Sequence, residues 1–241
     1  APFLILFFKD MSINDVYKQL RKNLEQNKVV LLGEMHGAQV NPIVIGEIVK
    51  HLKIRLILIE VNSKYVLLFS QLRQGTEKTI AEKIKEKDAW LFDAGVLSLA
   101  HLRLYARLRK LGVHILPVKI EDQDWSLAEV KTSDHIKKIL ANKNKPPTLA
   151  VFGNLHMRKL PFALRDDGYK KRVVPIGWHL RNNSQSIHIR YAKGVIKNFG
   201  LMEIEDKGAY KILGNFNKIL TKSHSPYFDF DYVIRNTKPL K

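Results

Sequence analysis

Val29–Leu32 is an unbroken apolar run that ends abruptly in Gly33-Glu34-Met35-His36-Gly37. Such a run reads as a buried strand. Its carboxyl end presents a carboxylate and an imidazole between two glycines. A second phrase of the same build follows much later, where Thr148–Phe152 runs into Gly153-Asn154-Leu155-His156. Two strands of this kind can bring both histidines to one rim of one sheet. In open α/β sheets ligands gather at the carboxyl ends of strands. The two phrases are therefore read as two halves of one site.

The intervening pattern supports that frame. Asp10–Gln26 has Val16, Leu20 and Leu24 at helical spacing, with Asp10 or Ser12 as cap. Asn41-Pro42 opens a helix whose apolar face is Ile45, Ile48, Val49 and Leu52. Arg55–Val61 is a strand buried on both faces. Helices are expected over Lys64–Arg73, Thr76–Lys87, Leu97–Leu111, Trp125–Leu140 and Met157–Asp166, and strands over Val113–Ile120, Thr148–Phe152 and Val173–Gly177. Asp88–Gly95, with Trp90 and Phe92, reads as a lid or wall. Ser186–Tyr191 alternates and reads as an antiparallel edge strand. Strand and helix in alternation predict a three-layer α/β fold: a central, mostly parallel sheet with helices on both faces. One domain over 1–241 is expected, its core at about 28–178, with 179–241 packed on it as an extension. Ala1–Phe8 reads as a first strand, or else as the remnant of a trimmed signal.

Composition narrows the chemistry. Hydrophobic residues make up 45% and charged residues 27%, which is globular. No apolar run reaches the roughly 18 residues of a membrane span. The chain has no cysteine, so disulfides, thiolate metal sites and cysteine nucleophiles are excluded. The net charge of +18 favours anionic partners. The basic residues are spread along the whole chain, so nucleic acid is disfavoured, and peripheral membrane contact is the second use for them. A cytoplasmic location is expected first, an exported mature form second.

The candidate chemistry lies where the strands end. Glu34 and His36, two apart in an extended segment, project to one side. A carboxylate so placed orients an imidazole, raises its basicity, or joins it on a metal. Glu60 ends an apolar strand and needs a partner, because burying a lone carboxylate is unfavourable; Lys64 is the near candidate. Arg158 and Lys159 place positive charge beside His156, which suits an oxyanion, phosphate or carboxylate. Gly33, Gly37, Gly153 and Asn154 allow close backbone approach and local hydrogen bonds. Asp124 is either at the same rim or the cap of the helix at Trp125. His51, His101, His114, His179 and His188 read as structural.

These phrases, in this order, resemble the erythromycin esterase/ChaN-like superfamily, which also contains the Tiki and TraB proteins. The resemblance rests on LLGEMHG at 31–37, LILIE at 56–60, DWSLA at 124–128, LAVFGNLHM at 149–157 and VVPIG at 173–177. It is closer to the ChaN-like and Tiki/TraB members, since the esterase phrase has one more residue between its glutamate and histidine. The resemblance implies a cleft formed by the two histidine phrases, with Glu34, His36, Glu60 and His156 as site residues. Its members differ: the esterases open a macrolactone, Tiki proteins look like metal-dependent peptidases, and ChaN binds haem. Where relatives carry an Arg-Asp pair ahead of the DWSLA helix, this chain has Gln123.

The expected function is a hydrolase acting on an ester or peptide bond of a small-molecule or peptide substrate, anionic in character. Glu34, His36, Glu60 and His156 are its expected catalytic residues. The same four are the ligands if a divalent metal is used. Without metal, His36 serves as base with Glu34 orienting it, and His156 or Lys159 holds the oxyanion. The first alternative is a haem- or small-ligand-binding protein using His36, His156, Arg158 and Lys159. The second is a basic adaptor for nucleic acid or a membrane surface, built on the Arg103–Lys110 stripe.

Overall fold

The structure is a computed structural model that describes residues 12–26, 28–142, 144–166, 169–214 and 216–239, with the backbone alone at 164–166 and 169–171. Ala1–Phe8 and Asp10 lie outside the described residues. In chain order the elements are α1 (Ile13–Glu25), β1 (Val29–Glu34), α2 (Asn41–Leu52) and β2 (Leu56–Asn62). A 3-10 turn then leads into α3 (Val66–Ser70), α4 (Glu77–Asp88), α5 (Trp90–Asp93) and α6 (Leu99–Lys110). The second half runs β3 (His114–Lys119), α7 (Trp125–Leu140), β4 (Thr148–Gly153), β5 (Phe162–Asp166), β6 (Tyr169–Val173) and α8 (Ile176–Leu180). It closes with β7 (Ser184–Lys197), β8 (Leu201–Glu205), α9 (Lys207–Leu213), β9 (Lys218–Lys222) and β10 (Phe230–Thr237).

The sheet order is β3-β2-β4-β1-β7-β10-β9, with β8 beside the far end of β7. The first six strands of that order are parallel; β9 and β8 are antiparallel. β4 lies between β1 and β2 and pairs with both, Glu34 opposite Gly153 and Ile59 opposite Val151. Side chains alternate across this layer. Val30 and Leu32 join the core under α1, α2, α4 and α6, while Val29 and Leu31 join the core under α7 and α8. This is the expected α/β fold, with helices on both faces and antiparallel edge strands near the C-terminus. Pro117 sits in edge strand β3, where a missing amide donor is tolerated.

Three expectations are corrected. Met157–Asp166 is not helical: Phe162–Asp166 pairs with Tyr169–Val173 in a separate hairpin. Asp167-Gly168 between them is a two-residue turn composition, and that signal outweighs the helical spacing. Val173–Gly177 is not a sheet strand, because Pro175 breaks it and stands directly ahead of the helix Ile176–Leu180. Ser186–Tyr191 is not the antiparallel edge. It belongs to β7, which is parallel to β1 on one side and β10 on the other. Its polar positions look solvated in sequence, but Ser186 bonds Asp229, and Arg190 pairs with Asp206 and Asp231. The antiparallel edge is β9, Lys218–Lys222. Residues 179–241 thus supply three strands of the sheet's ordered run.

Candidate active site

Parity decides where the carboxylates of the strand ends point. Glu34 has the parity of Val30 and Leu32 and faces α6. Glu60 has the parity of Leu58 and faces α7. The two strands are separated by β4, whose last residue, Gly153, has no side chain. His36 fills that space. A Cβ on Gly153 would stand 2.5 Å from His36 Nε2. The imidazole therefore crosses the end of β4, with Nδ1 3.2 Å from Glu34 Oε1 and Nε2 3.3 Å from Glu60 Oε2. β1 ends at Glu34, so the convergence comes from a turn after Met35 rather than from extended backbone.

Glu60 is the hub. Its Oε1 accepts from Lys119 Nζ at 2.7 Å and lies 3.2 Å from His156 Nε2. Its Oε2 accepts from the Gly153 N–H at 2.6 Å. The other nitrogen of His156, Nδ1, is hydrogen-bonded to Glu129 on α7. Glu129 also accepts from Trp125 Nε1 at 3.0 Å and from the Ile176 N–H at 2.8 Å. On the opposite face His101 Nε2 stands 3.8 Å from Glu34 Oε2, and its Nδ1 is 2.9 Å from Ser98 Oγ. The cluster reads His101, Glu34, His36, Glu60, His156, Glu129: imidazole and carboxylate in alternation across the sheet rim.

The electrostatics follow from burial and pairing. Glu34, Glu60 and Glu129 are buried, while His36, His156 and Lys119 keep a solvent-facing edge of 13–18% of their side chains. Burial opposes the charge on His36, but bonds to Glu34 and Glu60 outweigh it and raise it to about 10. Burial likewise opposes His156, and the charges of Glu60 and Glu129 raise it to about 9. Burial would lift Glu60, yet His156 and Lys119 hold it well below the usual carboxylate range. Glu34 is lowered against its burial by His101 and His36. The site is a buried acidic base under a cationic, proton-carrying edge.

The other expected residues divide. Gly37 has φ +80° and its Cβ would meet Lys197 O at 1.7 Å, so only glycine fits where the His36 turn meets β7. A Cβ on Gly33 would meet Phe228 at 2.9 Å. The Asn154 N–H donates to Glu34 O at 2.8 Å and ties β4 to β1. Asp124 caps α7, accepting from Ser126 and Leu127 N–H groups, and so aims Trp125 and Glu129. Lys159 is committed to Asp229 at 2.9 Å and does not join the cluster. Lys64, the candidate partner for Glu60, pairs instead with Asp88 and Glu121. Of the α6 stripe, Arg103 and Arg107 line an open cavity of about 850 Å³ with Pro42, Ile43 and Leu104. None of these is a cluster residue.

Lys119, Glu129, Trp125 and His101 also belong to the site, and sequence reasoning does not single them out. Glu129 carries one signal: it stands in a stripe with Ala128, Thr132, Ser133 and Ile136 that α7 buries. A carboxylate in a buried stripe of small residues needs partners.

A divalent ion on Glu34, His36, Glu60 and His156 does not find its ligands around a common point. Both nitrogens of each imidazole are turned to carboxylate oxygens. Among the described residues no group of three or more His, Asp and Glu side chains is disposed around one ion. Haem ligation by His36 or His156 would need one of these nitrogens to leave its carboxylate. The arrangement suits protons.

Gly153→Ala tests the crossing directly. The methyl would displace His36 Nε2 from Glu60, and the imidazole should lose part of its raised affinity for the proton in an NMR titration. The parted pair is buried, so the folding midpoint should fall as well. An unchanged His36 titration in the alanine variant would show that His36 need not cross β4.

No family model matches the sequence, and no curated protein matches it. Solved structures do match in fold. A mutant of the erythromycin esterase EreC in its open conformation is 10% identical, with a TM-score of 0.56, 96% of this chain and 96% of that chain being covered. A succinoglycan biosynthesis protein is 13% identical, with a TM-score of 0.56 over 95% of this chain and 93% of that one. A protein from Bacillus cereus is 12% identical, with a TM-score of 0.51 over 95% and 93%. The chain shares its fold with an erythromycin esterase, as the sequence resemblance implies. At these identities the likeness concerns fold, and function rests on the site.

Proposed function

We propose that the chain is a hydrolase of an ester or amide carbonyl that activates water by acid–base chemistry at the Glu34–His36–Glu60–His156–Glu129 cluster. The observation that carries this reading is His36 held between two carboxylates at a sheet rim, with His156 and Lys119 as donors on the far side of Glu60. In its neutral form His36 has no proton to offer Glu60 through Nε2. A water entering there gives its proton to Nε2 while Glu34 holds the Nδ1–H. The water oxygen attacks the carbonyl carbon. Lys119, whose ammonium has N–H groups beyond the one given to Glu60, faces the oxyanion that forms. Collapse expels the alcohol or amine, which takes the proton back from His36. Glu129 keeps His156 in register, and α7 fixes Glu129.

The sign of the pH effect follows. The base form of His36 appears only as pH rises toward about 10, so the initial rate climbs on the alkaline side. Glu34→Gln removes a negative charge that favours imidazolium, so the climb moves to lower pH. The test is turnover of p-nitrophenyl esters and chromogenic peptides from pH 6 to 10, with His36→Ala beside the wild type. Loss of roughly 10²- to 10⁴-fold in His36→Ala is expected. Turnover that survives His36→Ala, or none in the wild type across both panels, would overturn the reading.

A further inference from the structure

We infer that Arg158 is an anion-recognition residue for the substrate, which carries a carboxylate or phosphate on an apolar or aromatic body. This inference rests on the hydrolase reading for the place of the scissile bond, though not for the anion itself.

Arg158 lies two residues after His156 in the segment that leaves β4. Its guanidinium carbon is 4.7 Å from the Phe162 ring centroid and 4.8 Å from that of Tyr227. Its Nε is buried and has no acceptor. Among the described residues no carboxylate pairs with it. Other partly buried cations differ: Lys159 has Asp229, and Arg190 has Asp206 and Asp231. A half-buried guanidinium without an acceptor is unfavourable, and burial lowers its affinity for the proton against the influence of Tyr227.

The two rings supply cation–π attraction to the guanidinium. Its Nε is enclosed, so the terminal Nη groups are the ones left for a ligand. A guanidinium edge presents parallel N–H groups in one plane, and the complementary group is a pair of coplanar oxygens, as in a carboxylate or phosphate. The same rings lead back to the chemistry. Phe162 meets Trp125 edge-on at 6.3 Å, and Trp125 meets His156 edge-on at 5.7 Å. His156, Trp125, Phe162 and Arg158 thus form one continuous wall. A substrate laid along it places its apolar body on Trp125, with the buried Phe162 behind, its anion at Arg158 and its carbonyl beside His156.

The experiment is calorimetric binding of phenylphosphonate, which cannot be hydrolysed, with benzyl alcohol as neutral comparison. Proteins are the wild type, Arg158→Gln, Arg158→Lys and the surface control Arg103→Gln, each checked by thermal melting. Phenylphosphonate should bind the wild type and Arg103→Gln alike, and Arg158→Gln should weaken it by roughly 10- to 100-fold. Arg158→Lys should recover only part, since an ammonium lacks the fork. Equal affinity in Arg158→Gln, or no binding to folded wild type, overturns the inference. Arg158-dependent binding in a protein that cleaves no ester would sink the hydrolase reading alone. Ester cleavage with Arg158-independent binding would sink this inference alone.

Discussion

Glu60→Gln is expected to be among the most damaging single substitutions in the chain, to both turnover and stability. The carboxylate meets four donors: Lys119, His36, His156 and the Gly153 amide. Glutamine fits the space but has one acceptor oxygen and two N–H groups, so donors would face donors. It also leaves Lys119 and two imidazoles without their shared counter-charge in a buried place. Breaking a buried pair on one side destabilises by about 3–5 kcal/mol. Turnover should fall by roughly 10³-fold as both histidines lose their register. Urea unfolding and kcat/KM at pH 7 read the two effects. Glu121→Gln is the control: that carboxylate is 43% exposed and 3.7 Å from Lys64, so its loss should stay within about 0.5 kcal/mol. A Glu60 variant no worse than the Glu121 variant would remove Glu60 from the centre of the site.

The second large effect is on stability against pH, and its sign is set by which state holds more protons. His36 and His156 titrate at about 10 and about 9 when folded, against about 6.5 in an unfolded chain. Between those values the folded state binds the extra protons, so their stabilisation is full below about pH 6.5 and is lost as pH rises to 9 and 10. Glu34 and Glu60 are displaced the other way. Their contribution is present above about pH 4.3, the unfolded value, and is lost as pH falls further. Thermal melts should show highest stability between about pH 5 and 6.5 and a decline on the alkaline side. The double variant His36→Asn/His156→Asn should flatten the alkaline decline. A wild-type melting temperature that rises from pH 7 to 9 would contradict the imidazole–carboxylate chain.

Much of this site is legible in the amino-acid order. Strand ends marked by glycine locate Glu34, His36 and His156, and a carboxylate closing an apolar run locates Glu60, because a buried run followed by polar residues has few other meanings in an α/β chain. What the amino-acid order does not carry is the side each carboxylate takes. Glu34 and Glu60 both end strands, yet strand parity sends them to opposite faces, and only the order β2-β4-β1 shows that His36 must bridge them over Gly153. Lys119 is hidden because its partner is set by sheet neighbours, 59 positions apart in sequence. Glu129 is hidden inside an amphipathic helix, where a single carboxylate reads as solvated. Residues 157–191 depart from their expected elements for a related reason. A short hairpin and a helix after proline replace one expected helix and one expected strand, and β7 satisfies its polar positions with aspartates from beyond residue 205.

The place of β4 between β1 and β2 has a consequence for how the chain is made. β1 and β2 are complete by residue 62, but the strand that joins them ends at residue 153. Until that segment emerges from the ribosome, each of the two carries an open edge of apolar backbone, and neither Glu34 nor Glu60 has its imidazole bridge in place. β7, which covers the other side of β1, arrives later still. A nascent chain of this topology therefore has a long vulnerable interval, because contacts between distant segments close slowly. Chains halted before residue 148 are expected to engage chaperones strongly, and those extended past residue 197 to release them.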